Sequence, residues 1–456
     1  MENVDLKGPL TLQEIVSLTP TIEEFKDELG YLNSGIVREY GVKFGIVKTV
    51  CPLEYEPHDP QKQLMKKLQN SMPVLEQRFV RVTQPGKRTK SKLPVYNVER
   101  RQNEAYLTTA LDFRRVGNDQ QVCTDKLACK KYGKTKYESM SLREKYWATR
   151  DLQACAAYGA DISGTLMKKE FEYWNFGSRT FPCLTRRYTS LRTPGVYSPY
   201  LYFGNWGTTF PLHIEDHDLY SVNYLHDGQA KVWYSVPESY ATQVEELAKD
   251  LSKTESDICP NFLRHKTLMI HPDLFLQRGI PVYTTEQQAG EMIITFPKAY
   301  HFGFNSGFNI AEARNIATKD WIPVGLKVNK CTCPNSVSPT IDRQRLLEMA
   351  VEAYEEQLDQ LQELTPEEVD YCTQLLQKRM KKRTKAKSSS DQGRHRFPFH
   401  FWAAWSWLCT LLALAISIAK TSLSRLAYDL SPTSSLLHRP SLSPFALSSM
   451  WKEVWR

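Results

Sequence analysis

The sequence predicts an α+β protein whose main part is a jelly-roll or similar closed β fold. Three observations lead there. Short β-branched and aromatic runs at 200–203, 220–225, 231–236 and 292–296 are separated by turn residues, the signature of many short strands. Helical stretches such as 140–148 are mixed among them. A capping box, Thr21 with Glu24 behind Pro20, marks a helix start at Ile22, well before the strand-rich region.

In chain order, residues 1–55 read as a small helical-then-extended module. Phe25, Leu29 and Leu32 fall on one helix face, and 40–50 (YGVKFGIVKTV) is a β-rich run ending at Pro52. Residues 56–94 read as a linker, with a basic stretch at 86–92 between Pro85 and Pro94. Residues 95–335 form the main domain. Residues 336–387 read as two helices, the second opened by Thr365 as cap, Pro366 at the first position and Glu368 closing the box. That helix runs into 378–387, where seven of ten residues are Lys or Arg, as in a nuclear import signal, a nucleic-acid tail or a plain solvated helix end. Residues 388–456 form a basic and Ser-rich tail. Within it, 401–419 carries no charge over 19 residues, long enough for a membrane helix. Two readings of that run stay open, a membrane anchor or a terminus with no packed role.

The chain has 456 residues, enough for two or three domains, and 41% of them are apolar, which suits a packed core. A net charge of +8 favours acidic partners such as nucleic acid or chromatin. The ten cysteines are scattered, and the N-terminus lacks the basic and apolar regions of a secretory signal, so reduced thiols with a few bound to metal are expected.

The chemistry concentrates in His213-Ile214-Glu215, answered by His301. Two imidazoles and one carboxylate can hold non-heme iron on one face and leave open positions for substrate and dioxygen. With ten histidines in the chain, the short pattern alone is weak. Strand alternation gives His213, Glu215 and Asn223 one parity, and Lys231, Trp233 and Ser235 share it on what reads as the neighbouring strand. An inward ammonium needs a partner, and the distal carboxylate of 2-oxoglutarate would supply one to Lys231. His217, Asp218 and His226 crowd the same stretch and read as core or rim residues. Cys259, His265, Cys331 and Cys333 offer three thiolates and an imidazole, a set suited to closed tetrahedral zinc. The two halves of that set lie 66 residues apart, so spacing alone leaves unrelated free cysteines open.

These residues sit in motifs that resemble the JmjN–JmjC histone lysine demethylases, most closely the lysine demethylase 4 family. The motifs are PTIEEF (20–25), YGAD (158–161), SPYLYFGNW (198–206), HIEDHDLYSVNYLH (213–226), KVWYSVP (231–237), FLRHK (262–266), AGEMIITFP (289–297), HFGFNSGFNIAEARN (301–315) and CTC (331–333). The resemblance implies a double-stranded β-helix (a cupin-like jelly-roll JmjC core) with flanking helices, packed on a JmjN module. It implies His213, Glu215 and His301 as iron(II) ligands, and Tyr158, Asn223, Lys231 and Phe210 as the residues around 2-oxoglutarate. It implies Cys259, His265, Cys331 and Cys333 as zinc ligands, and Gly195, Tyr202 and Asn315 as the pocket around the methylated ammonium. Ala313 and Arg314 stand at neighbouring positions of that pocket. The family has small or apolar residues where Arg314 stands, and an acidic residue where Pro194 stands. An inward guanidinium would repel a trimethylammonium, whereas one turned outward to a backbone carbonyl would not.

The implied activity is demethylation of di- or trimethyl-lysine in histone H3, at lysine 9, lysine 36 or both, in the nucleus. The expected partner is the histone H3 tail or nucleosome, with electrostatic contact to DNA through the basic segments. A catalytically silent chromatin-binding protein and a JmjC-type protein hydroxylase are the rival classes.

Overall fold

The computed structural model describes residues 10–57, 72–82, 93–178, 181, 196, 198–329, 331, 333, 341–354 and 364–390. The chain divides into two compact units, residues 1–353 and 354–456. In the second, the described helix Pro366–Ser390 starts as expected: the Glu368 N–H donates to Thr365 Oγ1 (3.3 Å) and the Thr365 N–H donates to Glu368 Oε2 (3.0 Å). The run 401–419 lies outside the described residues. Among those described, no helix is long and apolar enough to cross a membrane.

The first unit opens with the predicted capping box at Thr21, but its helix stops after Ile22–Lys26. Asp27 then caps a new helix, Glu28–Asn33, by accepting from the Gly30 N–H at 3.0 Å. The break turns Leu29 to solvent (45% exposed), while Phe25 and Leu32 stay buried. The expected common face of these three residues is thereby corrected.

The run 40–50 also divides. Its first half ends the helix Gly35–Phe44, which buries Val37, Gly41 and Phe44 at helical spacing. Gly45, at φ 78°, supplies the left-handed stop, and the strand Ile46–Val50 follows. A Cβ on Gly41 would lie 2.1 Å from the Phe296 ring, which is itself buried. Gly41→Ala should therefore lower the melting temperature. Overpacking costs about 1–3 kcal/mol, which outweighs the roughly 1 kcal/mol of helix propensity gained. An unchanged or raised melting temperature would contradict this close packing.

Fourteen strands occur among the described residues. They are β1 (Gln13–Glu14), β2 (Ile46–Val50), β3 (Met72–Arg81), β4 (Val95–Thr108), β5 (Ala156–Ser163), β6 (Tyr200–Gly204) and β7 (Thr209–His213). They continue with β8 (Tyr220–Gly228), β9 (Lys231–Val236), β10 (Leu268–Ile270), β11 (Tyr283–Gln287), β12 (Glu291–Thr295), β13 (Tyr300–Asn305) and β14 (Asn309–Ile316). One sheet runs β1-β11-β9-β13-β7, the other β10-β4-β3-β5-β6-β14-β8-β12-β2. From β11 to β14 successive strands alternate between the sheets, which gives the expected jelly-roll winding.

Two sequence expectations change here. β3 lies inside 56–94, pairing with β4 and β5, so that span is not only a linker. Its β-forming residues lack a strict alternation, which hid it. β8 and β9 belong to opposite sheets and are not neighbouring paired strands. The two-residue connection Gln229-Ala230 carries the chain from one sheet to the other.

All six residues of β9 are buried. Val232, Tyr234 and Val236 join a core with Val244, Leu247, Leu251 and Phe275. Each such side chain stabilises by about 1.5–3 kcal/mol. This core backs the small sheet and sets Lys231, Trp233 and Ser235 on its other face. The N-terminal helices are pinned through Trp174, which stacks on Phe25 (5.4 Å between ring centroids) and donates its indole N–H to the Phe25 carbonyl (2.7 Å).

A candidate metal centre between the sheets

β7 ends on His213, and β13 brings His301 directly opposite it. The ring centroids are 4.4 Å apart. His213 Nδ1 donates to the Pro211 carbonyl (2.6 Å) and His301 Nδ1 to the Ala299 carbonyl (3.0 Å). Each bond sets the tautomer and leaves the Nε2 lone pair free to bind a metal. Glu215 completes the group, with Oε1 3.3 Å from His301 Nε2. One donor atom from each of the three lies within 4.8 Å of the others.

The carboxylate is held on both oxygens. Ser221 Oγ donates to Oε1 (3.0 Å) and Asn315 Nδ2 to Oε2 (2.9 Å). Burial, then the neighbouring His301, pushes His213 well below the usual histidine range, so its ring is neutral at neutral pH. Burial acts to raise Glu215, but His301, Lys266 and His213 outweigh it and hold the carboxyl below its ordinary value. Two convergent imidazoles and an ionised carboxylate fit a divalent iron site.

Beside this group, Lys231 is 2% exposed. Its Nζ donates to Asn305 Oδ1 (2.7 Å) and lies 5.3 Å from the centre of the Phe210 ring. Burial lowers its pKa to about 7. Among the described residues no carboxylate pairs with it. Phe210 packs on Trp233 (4.7 Å), which lies 6.0 Å from His301. Asn223 is buried, and its Oδ1 has no hydrogen-bond partner among the described residues. Gln287 ties it to the same floor, donating to the Asn223 carbonyl (3.0 Å) and accepting from the Trp233 indole (2.9 Å). Tyr158 is buried and hydrogen-bonded to Asn305. A buried ammonium without a counter-charge and an orphaned amide oxygen fit a dicarboxylate keto acid.

The expected methyl-pocket residues divide. Tyr202 donates to Asp161 Oδ1 (3.1 Å), and Asn315 touches Glu215 as above. Ala313 is partly exposed on β14. Gly195 and Pro194 lie outside the described residues. Arg314 does not join the pocket. It is buried at 3% exposure with Nη1 donating to the Phe176 carbonyl (2.6 Å), and its guanidinium covers the Phe181 ring at 4.8 Å. Strand alternation, which sets Ala313 and Asn315 on one face, sends Arg314 to the other. Placing it in the pocket is corrected, and the repulsion considered above does not arise.

His217 and His226 are buried outside the metal group, as expected. His217 Nε2 accepts from the Ile341 N–H, and His226 Nε2 lies 3.0 Å from Glu312 Oε2. Asp218 pairs with Arg264 at 2.7 Å. Sequence reasoning missed Asn305, Ser221, Gln287 and Lys266, whose Nζ lies 3.4 Å from Asp216 Oδ2. Lys266 closes a motif already singled out and Asn305 lies inside another, but nothing in their spacing marked them.

A second group forms at Cys259, His265, Cys331 and Cys333, also with donor atoms within 4.8 Å. Cys259 Sγ is 3.7 Å and His265 Nε2 3.3 Å from Cys331 Sγ. Burial opposes ionisation of Cys331, but the Cys333 N–H and His265 lower its pKa to about 6. No two described cysteines are joined in a disulfide. Three convergent sulfurs and an imidazole suit tetrahedral zinc.

Comparison with known proteins agrees with this geometry. Residues 200–316 match the family model described as "JmjC domain, hydroxylase". The matched residues run from β6 to β14, carry His213, Glu215 and His301, and form the jelly-roll part of this chain. Its relatives carry the name lysine-specific demethylase 4. Mouse (Mus musculus) lysine-specific demethylase 4B is 36% identical over 70% of this chain and 27% of its own length. Lysine-specific demethylase 4D of Rattus norvegicus is 47% identical over 42% of this chain and 38% of its own. Probable lysine-specific demethylase 4F of Homo sapiens is 34% identical over 73% and 48%, respectively. The chain thus spans from about a quarter to about half the length of these curated relatives.

Proposed function

We propose that this chain is an iron(II)- and 2-oxoglutarate-dependent dioxygenase that demethylates methylated lysine in histone H3, at lysine 9, lysine 36 or both, in the di- or trimethyl state. The observation that carries the reading is the convergence of His213, Glu215 and His301 beside a buried lysine that has no acidic partner among the described residues. His213 Nε2, His301 Nε2 and Glu215 would hold iron. Lys231 would take the distal carboxylate of 2-oxoglutarate, with Tyr158 and Asn223 completing its polar contacts and Phe210 its apolar wall. Iron bound there supplies dioxygen activation coupled to conversion of the keto acid to succinate and carbon dioxide.

The chain's own residues orient and exclude water. Ser221 and Asn315 keep Glu215 in place, and the Phe210–Trp233 wall shields the cosubstrate side. Tyr202 and Asn315 would line the cation with oxygens that accept weak C–H···O contacts. Hydroxylation of an N-methyl carbon yields a carbinolamine. Its C–N bond then breaks, the carbon leaving as formaldehyde while the hydroxyl proton passes to the freed nitrogen; because oxidation falls on carbon and needs no nitrogen lone pair, a trimethylated cation is an allowed substrate. The module at 1–55 would act as a JmjN-like brace, zinc would clip Cys259 and His265 to Cys331 and Cys333, and the basic segments would favour nucleosomal DNA in the nucleus.

Incubation of the purified chain with trimethyl-lysine histone H3 peptides, iron(II) and 2-oxoglutarate, read by mass spectrometry, tests the proposal. Loss of one CH2 unit per step is expected. Gain of one oxygen would instead indicate a hydroxylase, and an unchanged mass a silent binding protein.

The cosubstrate reading also has a pH signature. Free Lys231 titrates near pH 7 because burial disfavours its charge, and a bound carboxylate would restore the charged form. Affinity for 2-oxoglutarate should be full below about pH 7 and weaken above it, by up to about tenfold per pH unit. Calorimetric titration with manganese(II) in the metal site measures this, and a flat profile across neutral to alkaline pH would contradict it.

A further inference from the structure

Lys231 is held by an amide where a carboxylate would be the ordinary partner for a buried ammonium. Asn305, on β13, is fully buried, and its Oδ1 accepts from Lys231 Nζ (2.7 Å) and from Asn309 Nδ2 (2.9 Å). Its Nδ2 donates to Thr208 Oγ1 (2.8 Å), and that hydroxyl donates to the Asn205 carbonyl (2.8 Å). The contacts to Lys231 and Thr208 fix which way the amide faces. An ammonium can only donate, so the amide oxygen must face Lys231, and the Thr208 hydroxyl proton is already spent, so the amide nitrogen must face Thr208.

The result is a clamp that fixes the ammonium in position without neutralising it. Lys231 commits one of its three N–H donors to Asn305. The charge and the remaining donors stay available to a ligand.

Resting on the cosubstrate reading above, we propose that Asn305 is a positioning residue that confers selectivity for a dicarboxylate keto acid, by orienting Lys231 while leaving its charge uncompensated. A carboxylate at position 305 would itself be the counter-ion. The distal carboxylate of the cosubstrate would then meet a neutral pair and a buried anion beside it. The side-chain volumes are nearly equal, and Asn309 Nδ2 could still donate to the oxygen at that place, so Asn305→Asp changes the charge and gives up one neutral hydrogen bond, to Thr208 Oγ1, with little change in volume.

The test compares two ligands with the same keto-acid end: 2-oxoglutarate, and 2-oxobutanoate, which lacks the distal carboxylate. Binding of each is measured by calorimetry with manganese(II) in the metal site. The wild-type chain should prefer 2-oxoglutarate strongly. Asn305→Asp should weaken 2-oxoglutarate by about 10- to 100-fold, the range of a charge-assisted hydrogen bond. Its affinity for 2-oxobutanoate should change by less than about threefold, within the value of one neutral hydrogen bond, so the preference collapses. Asn305→Ala removes the clamp but not the charge. It should weaken 2-oxoglutarate by roughly fivefold, the value of one neutral hydrogen bond, and keep the preference.

Retained preference in Asn305→Asp overturns the proposal. Should that variant not fold, judged by melting and zinc content, unchanged 2-oxoglutarate affinity in Asn305→Ala overturns it. Lys231→Ala separates the two levels of argument. If that variant keeps the wild-type preference, the cosubstrate reading itself fails. If it loses the preference while Asn305→Asp keeps it, only the role of Asn305 fails.

Discussion

His213→Ala is expected to abolish demethylation and to weaken iron binding by more than about 100-fold, since loss of an outer-shell partner alone typically costs 10- to 100-fold. The variant should still fold. His213 lies at the end of β7, and its ring gives up one hydrogen bond, to the Pro211 carbonyl, worth about 1 kcal/mol. The Cys259–His265–Cys331–Cys333 group makes no use of it. Zinc content and melting temperature should therefore stay near the wild-type values while turnover disappears. Activity surviving this change would show that the metal assignment is wrong. Unfolding would show that His213 carries more of the structure than its contacts indicate.

Cys331→Ala should do the reverse. Cys331 is the hub of its group, within 3.7 Å of Cys259 Sγ and 3.3 Å of His265 Nε2. Removing it leaves three donors and should release zinc. Structural zinc contributes roughly 10–16 kcal/mol in small peptides. In a chain with a large apolar core the loss should be smaller, on the order of a few kcal/mol, and visible as a clear drop in melting temperature. Iron binding at the folded temperature should change little, because the iron group shares no residue with this one. Full zinc stoichiometry with an unchanged melting curve would count against the clip.

Local signals proved the most legible. The capping boxes at Thr21 and Thr365 depend on side chains three residues apart and appear where the sequence puts them. The histidines and carboxylate of the His213–Glu215–His301 group, and the cysteines of the Cys259–His265–Cys331–Cys333 group, belong to the few residue types that bind metals, so they stood out as candidates. What distance in sequence hides is their convergence. His265 and Cys331 meet because the chain returns after the whole of β10 to β14, and no spacing rule contains that path. The resemblance supplied it.

Other features were illegible for physical reasons. The helix Gly35–Phe44 carries β-formers such as Val42 and Phe44, yet burial of Val37, Gly41 and Phe44 on one face decides its form. β8 and β9 read as neighbours because two residues separate them, but the chain changes sheets there. Asn305 looked like any polar residue in a Gly-rich stretch, and only burial against Lys231 gives it a role. For Arg314 the sequence left an inward and an outward placement open; alternation along β14 sets it opposite Asn315, and its guanidinium turns outward to the Phe176 carbonyl.

Anomalous diffraction from crystals of the chain grown with iron(II), recorded at the iron and zinc edges, tests the central claim most directly. The expected result is one iron peak bounded by His213 Nε2, His301 Nε2 and a Glu215 oxygen, and one zinc peak among Cys259, His265, Cys331 and Cys333. An iron peak elsewhere, or His301 turned away from an empty His213–Glu215 pair, would contradict it.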